Sequence, residues 1–536
     1  MRWGVLFSDS KRLQRMPGAP SRCLSQAGLA RSLGLMQQLM MERPKVAALA
    51  TASVLLLALK PFWKWLREAQ VERFQKVPGM PFFGVYFQVL PLNLGLFRKM
   101  EEFSQKYGDE GVYEMEVLGE RDIVCCSWEV AQEVWQNRPF RMIRGKLDDF
   151  HAKKTPMGMN LADGKQWQQE RRLMHPFFSE KAVAENRLKM ERAAAELLSR
   201  LVAECAKGGV VSCLWLFELS FAQLLSDMVV GEELPEGHDA FPQWWQIWER
   251  LVLTSTLDYL FPILNLDWKL PFFGSALEAA KAKAVEACMA AGSPGDGTFF
   301  GRLRSLALEG QMSSDRLSGF IISFMLAAGH APAFGLSWSF YHLARLPDVQ
   351  EAIFEEVNKG KKSLWAEALL LETLRLYPFE VHNYHTAEEI VLAGRKVPPG
   401  TSVRVHLRHL FRNFKESKLG EDLHEFRPAR WVGRDGIIQA PPWNHLFWGH
   451  GSRECLGRRI IESFAPMVIA KVVELFVLAP SGSEEVIFSD KPPAFGVATP
   501  KHANVQLNLR SRKPGLDHED DEGCGGISNL DSSNRF

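Results

Sequence analysis

Hydrophobic positions recur at helical spacing along most of this chain. The clearest run is Arg458 to Phe476, where Ile460, Ile461, Phe464, Met467, Val468 and Ala470 carry the apolar periodicity. Ahead of it the pattern breaks into a polar, glycine-punctuated stretch, Trp448-Gly449-His450-Gly451-Ser452-Arg453-Glu454-Cys455-Leu456-Gly457. Cys455 is therefore expected where a loop meets a helix N-terminus. Val112 to Leu118 and Asp122 to Cys126, joined through Gly119-Glu120, predict a β-hairpin. Helical patterns then dominate to about residue 380, and Lys396 to Thr401 reads as a turn entering a strand. The expected fold class is mainly α with small β-sheets.

The two ends follow other patterns. Residues 1–41 hold Arg2, Lys11, Arg12, Arg15, Arg22 and Arg31 against the single acid Asp9, as in a transit peptide or a disordered basic arm. Val46 to Leu59 is a mostly apolar run between Lys45 and Lys60. As helix it covers only about 21 Å of a roughly 30 Å hydrocarbon core. Phe62, Trp63, Trp65 and Leu66 extend it, and Lys60 and Lys64 can snorkel. Residues 42–75 are thus expected to be a membrane anchor contacting lipid; a signal-peptide core is the competing reading. Pro78-Gly79-Met80-Pro81 reads as a rigid hinge before a globular region, 76–512. Residues 513–536 are acidic and rich in Gly and Ser, the composition of a disordered tail.

Composition narrows the function classes. Lys and Arg total 64 against 63 acids, so overall charge gives no reason to expect nucleic acid as a partner. Eight cysteines in 536 residues, without a Cys-x-x-Cys pair, make no disulfide scaffold. With 35 Phe and 16 Trp, the core should be extensive. Residues 215–273 concentrate aromatics, among them Trp215, Phe217, Phe221, Trp244, Trp245 and Trp248. They suit either core packing or a membrane-dipping substrate entrance.

The chemistry gathers at the glycine loop. Backbone N–H groups and the helix dipole should favour a Cys455 thiolate. Gly449 and Gly451 permit turns closed to other residues, and Gly457 removes a side chain where something flat could approach. Arg453 is a fixed cation suited to a carboxylate. Together these features point to a haem held by an axial thiolate. A dinucleotide-binding Gly-x-Gly-x-x-Gly starting at Gly449 fails, because Glu454 stands in the last position.

The loop resembles the haem-ligand segment of the cytochrome P-450 family, Phe-x-x-Gly-x-Arg-x-Cys-x-Gly, at Gly451, Arg453, Cys455 and Gly457, with Trp448 in place of Phe. Other segments resemble the family in the same order. Trp167 and Arg171, four apart on one helical face, match its Trp-x-x-x-Arg helix, where both side chains bind a haem propionate. Glu372 and Arg375 match its Glu-x-x-Arg helix, and Phe426-Arg427-Pro428-Ala429-Arg430-Trp431 its Phe-x-Pro-x-Arg-Trp segment. The resemblance implies a buried network of Glu372, Arg375 and Arg430. It also implies Cys455 as iron ligand, haem b as cofactor, and Trp167, Arg171 and Arg453 around it.

Two positions depart from the family pattern. Its propionate-binding Arg aligns with Tyr384, beside His385. In the long helix expected from Ser323 to Ser339, Ala328-Gly329-His330-Ala331-Pro332-Ala333 lacks the family's proton-relaying acid and alcohol. The stretch from Val349 to Glu372 is also shorter than usual. The resemblance implies an O2-dependent monooxygenase acting on an apolar lipid, sterol or terpenoid, with electrons from a reductase or ferredoxin. Reductant-free rearrangement of lipid hydroperoxides and haem binding without turnover are the other readings. An endoplasmic-reticulum or organellar membrane is the expected location.

Overall fold

The computed structural model describes residues 73–80, 84–85, 88, 92–117, 120–137, 140–144, 159, 162–225, 227–228, 297–378, 382–413, 419–440, 444–481 and 504–510. All of them fall in the compact unit Glu72–Phe536. The basic leader, the apolar run at 46–66, the acidic tail and the aromatic positions from 229 to 273 lie outside the described residues. Among the described residues, no helix is long and apolar enough to cross a membrane.

The first part of the chain forms α1 Leu92–Tyr107, β1 Val112–Val117, β2 Glu120–Cys125, α2 Trp128–Gln136, β3 Met142–Arg144 and α3 Gly164–Met174. α4 Glu180–Glu185, α5 Arg187–Ala206, β4 Val210–Ser212 and α6 Cys213–Leu225 follow, and then α7 Phe299–Leu308 and α8 Ser314–Leu343. α9 Pro347–Asn358 and α10 Leu364–Leu376 lead into β5 His382–Thr386, β6 Ile390–Leu392, β7 Arg395–Val397, β8 Ser402–Val405 and α11 Leu407–Arg412. α12 Arg458–Leu475, β9 Phe476–Pro480 and β10 Asn504–Leu509 complete the order. Local chemistry sets the starts: Ser127, Ser179, Thr298, Ser313 and Ser363 each accept the N–H three residues on, capping α2, α4, α7, α8 and α10.

The expected hairpin is present, but Glu120 belongs to β2 rather than to the turn, opposite Val117. It forms one edge of a five-stranded sheet ordered β1-β2-β8-β5-β3, in which β2 and β8 run parallel. β4, β10 and β9 form a second sheet, and β6 and β7 a small hairpin. Just ahead of Pro78, Val77 is tied to the body: its N–H donates to the Glu114 carbonyl at 2.8 Å, and its side chain is buried.

One core packs α5, α6, α8, α10 and α12 together through residues such as Leu197, Phe217, Phe340, Leu369 and Phe464. Phe217 meets Phe340, and Phe221 meets Phe464, ring edge to ring face at 4.8 and 5.3 Å. These two members of the aromatic-rich segment are therefore core residues. A second core joins the five-stranded sheet to α2, α10 and α11, and includes Leu446 and Phe447 at the head of the glycine loop. The loop is thus pinned to one core and α12 to the other. α8 continues through Pro332, which has no N–H to give the Ala328 carbonyl. The shortened Val349-to-Glu372 stretch holds α9, a five-residue link and the start of α10.

Candidate active site

Loop geometry places Cys455 three residues ahead of α12. Gly449 and Gly451 have φ of 87° and 64°, left-handed values that favour glycine. Cys455 N–H donates to the Trp448 carbonyl at 2.8 Å and Glu454 N–H to the Gly451 carbonyl at 3.0 Å, which folds the loop back on itself. A Cβ at Gly457 would lie 3.9 Å from Cys455 Sγ, in ordinary contact with the sulfur.

Cys455 is exposed, yet protein surrounds it densely enough that burial pushes its thiol pKa up. Both facts hold together if the side chain faces an enclosed recess rather than the outer surface. The Gly457 and Arg458 N–H groups and the Arg171 charge pull the pKa down, and Glu454 pushes it up. This corrects the expectation of a ready thiolate: the helix terminus contributes as expected, but desolvation outweighs it. A metal at Sγ reverses that balance, because a coordinating thiol loses its proton outright.

Three other predicted residues converge on the loop. Arg171, on α3 and half-buried, donates from Nη1 to the Glu454 carbonyl at 2.7 Å. Trp167, one turn earlier on α3, is buried, and the Arg453 guanidinium lies 4.4 Å from its ring centroid. Arg453 also donates to the Ala162 carbonyl at 2.7 Å and pairs with Asp163 at 2.5 Å. Its carboxylate partner within the chain is thus Asp163, whose side chain is drawn away from capping α3. A soft sulfur on a loop held by one guanidinium, with a second guanidinium and an indole on the same loop and helix, is a donor set that fits a flat, anionic, iron-bearing macrocycle.

Tyr384 and His385 sit in sequence on β5, where successive side chains point to opposite faces. Only one of them can face any given side of the sheet. Tyr384 Oη contacts His382 Nδ1 at 3.3 Å, and His385 is buried. Ala331 and Pro332 are both half-buried on α8. The side chain of His330 lies outside the described set.

The charge network behind the loop forms as expected. Glu372 and Arg375, both fully buried, make a bidentate pair at 2.8 and 2.9 Å. Arg430 Nε reaches Glu372 Oε1 at 3.0 Å and its guanidinium also holds Asp422 at 3.1 Å. Arg375 ties down the Leu423 and Glu425 carbonyls at 2.8 and 3.0 Å. Sequence reasoning quoted Trp431 but gave it no role. Its indole N–H donates to Glu372 Oε2 at 2.9 Å, and the Arg427 N–H donates to Oε1 at 2.8 Å. The signal was available, since an indole next to Arg430 in a buried segment needs an acceptor.

The cytochrome P450 family profile matches residues 75–505. The Caenorhabditis elegans cytochrome P450 CYP13A4 is 25% identical, over 87% of this chain and 99% of its own length. Human mitochondrial sterol 26-hydroxylase is 31% identical over 44% of this chain and 47% of its own. Cytochrome P450 27C1 of Danio rerio is 30% identical over 40% of each. With that match spanning most of the chain and the cysteine loop in place, the chain belongs to the cytochrome P450 family of haem-thiolate oxidoreductases that incorporate oxygen.

Proposed function

We propose that this protein is a membrane-associated monooxygenase that hydroxylates an apolar, sterol- or lipid-like molecule at a haem b held by Cys455. The observation that carries this reading is the gathering of Arg171, Trp167 and Arg453 around the loop that bears Cys455. The bound haem thiolate supplies O–O bond cleavage. Cys455 gives up its proton on binding, and the Gly457 and Arg458 N–H groups hold the sulfur's charge. Arg171 and Arg453 would neutralise the cofactor's carboxylates, with the Trp167 indole N–H as a further donor. For Arg453 this means sharing or exchanging its Asp163 partner.

Electrons would arrive on the side where α10 and α12 meet. A groove of about 460 Å³ there is lined by Lys362, Arg458, Arg459, Glu180, Glu367 and Glu462. Arg458 is engaged by Glu454 and Glu462, and Lys362 by Glu367. Arg459 at the groove and Lys361 beside Lys362 in sequence are exposed, cations suited to an acidic ferredoxin-type donor. Similarity to a sterol 26-hydroxylase described as mitochondrial supports that donor and an organellar membrane.

A second reading is reductant-free rearrangement of a lipid hydroperoxide. It is favoured by Ala331 and Pro332, which cannot carry a proton. Comparing turnover of sterol and fatty-acid panels with a reduced ferredoxin against turnover of lipid hydroperoxides alone separates the two. Product formation that requires reductant and O2 supports the monooxygenase. Hydroperoxide turnover without reductant, and none with it, overturns that reading.

A further inference from the structure

α1 and the segment entering α11 bring together three metal-binding side chains that contribute nothing to the cysteine recess. Glu101, His406 and His409 each offer one ligand atom, and these atoms all lie within 4.8 Å of one another. His409 Nδ1 is 2.9 Å from Glu101 Oε1, and His406 Nε2 is 3.9 Å from Glu101 Oε2. His406 is completely buried, and neither its Nε2 nor Glu101 Oε2 has a hydrogen-bond partner. Two buried polar atoms at that distance, neither of them hydrogen-bonded, are costly unless something between them serves both.

We propose that Glu101, His406 and His409 bind a single zinc-type divalent ion that fastens α1 to the β8–α11 segment. Ligand atoms on a tetrahedral zinc at about 2.0–2.1 Å stand roughly 3.3 Å apart, so the site closes with shifts of about an ångström or less. The outer contacts suit such a site. Ser104 Oγ lies 3.0 Å from His406 Nδ1, which leaves Nε2 as the ligand atom. Asn413 Nδ2 lies 3.0 Å from His409 Nε2, and turning that amide over presents an oxygen that fixes His409 with Nδ1 free for the metal. Glu101 is the partly exposed member of the three and provides the route in.

The test uses the full-length, haem-loaded protein, stripped with a chelator and dialysed against zinc ion alone. Metal content is read by mass spectrometry, and the zinc environment by X-ray absorption, which the haem does not obscure. The expected result is one zinc per chain with two imidazoles at about 2.0 Å. Glu101→Gln and His409→Gln, checked for haem content, should each weaken binding at least about tenfold. Absence of stoichiometric zinc in the unmodified protein overturns the proposal. So does a zinc shell without imidazole, which reads out even if the variants fold poorly. Equal retention by both folded variants would likewise assign the ion to another place.

Discussion

The indole N–H of Trp431 donates to Glu372 Oε2 at 2.9 Å, although the two residues are 59 positions apart. Both are fully buried, and the same carboxylate receives Arg375, Arg430 and the Arg427 N–H. Five donors on one glutamate join α10 to the segment that precedes the cysteine loop. Removing the acceptor leaves Arg375 without a carboxylate in the core and Arg430 with Asp422 alone. Glu372→Ala should therefore cost about 3–5 kcal/mol and depress the yield of haem-loaded protein. Trp431→Phe removes one donor of five and should cost only about 1–3 kcal/mol. Denaturant midpoints and haem content check both, and equal effects would contradict a network centred on Glu372.

Truncation should be sensitive to three residues. Arg73 pairs with the buried Glu114, and Phe74 is itself buried with the Arg395 guanidinium 5.0 Å from its ring. Deleting residues 1–71 should release protein from membranes and keep the haem spectrum. Deleting 1–74 should in addition destabilise the fold by about 3 kcal/mol or more, the scale of losing a core phenylalanine. Sedimentation with vesicles and thermal melts measure the two effects separately. Undiminished membrane retention of the shorter deletion would place anchoring elsewhere.

His342 sets a pH dependence. It stacks on Phe426 at 3.8 Å and contacts Tyr377 Oη at 2.8 Å, and burial, with Arg345 nearby, pulls its pKa down to about 3. Below pH 6.5 the unfolded chain takes up a proton that the folded chain refuses. Stability from this group is complete above about 6.5 and erodes as pH falls toward 3, by up to about 1.4 kcal/mol per pH unit. The difference in unfolding free energy between the wild type and His342→Gln should narrow as pH drops through that window. A pH-independent difference would show that the imidazole titrates normally in the fold.

Ala331 and Pro332 carry a prediction about coupling. With no acid or alcohol at these positions, protons must come from ordered water, His330 or a substrate hydroxyl. Reductant consumption should exceed product, with hydrogen peroxide making up the difference for substrates lacking a hydroxyl. Peroxide-driven turnover should be comparatively efficient. Ala331→Asp with Pro332→Thr should raise the product-to-reductant ratio. Tight coupling in the unmodified protein, indifferent to His330→Ala and to removal of substrate hydroxyls, would contradict this.

The helix after the cysteine loop and the loop itself were legible because each rests on local pattern: apolar periodicity for α12, glycines at Gly449 and Gly451. Glu372, Arg375 and Arg430 were legible through the resemblance of their segments to the family's, since the Glu-x-x-Arg spacing alone is common on charged helices. The state of the Cys455 thiol was not, because burial is a property of the assembled fold and outweighs the local helix terminus. Nor was Asp163 as the partner of Arg453, a pairing across 290 positions that no spacing announces. Glu101 with His406 and His409 was hidden for the same reason, since α1 meets α11 only through tertiary packing.

The account stands or falls on Cys455 as the axial ligand. The most direct measurement is the absorption spectrum of the reduced, carbon-monoxide-bound protein for the wild type and Cys455→Ser. The wild type should show the red-shifted band from which the family takes its name. The serine variant should lose it, because an alcohol is a poor substitute for a thiolate. A band that survives the substitution would contradict the assignment of the site.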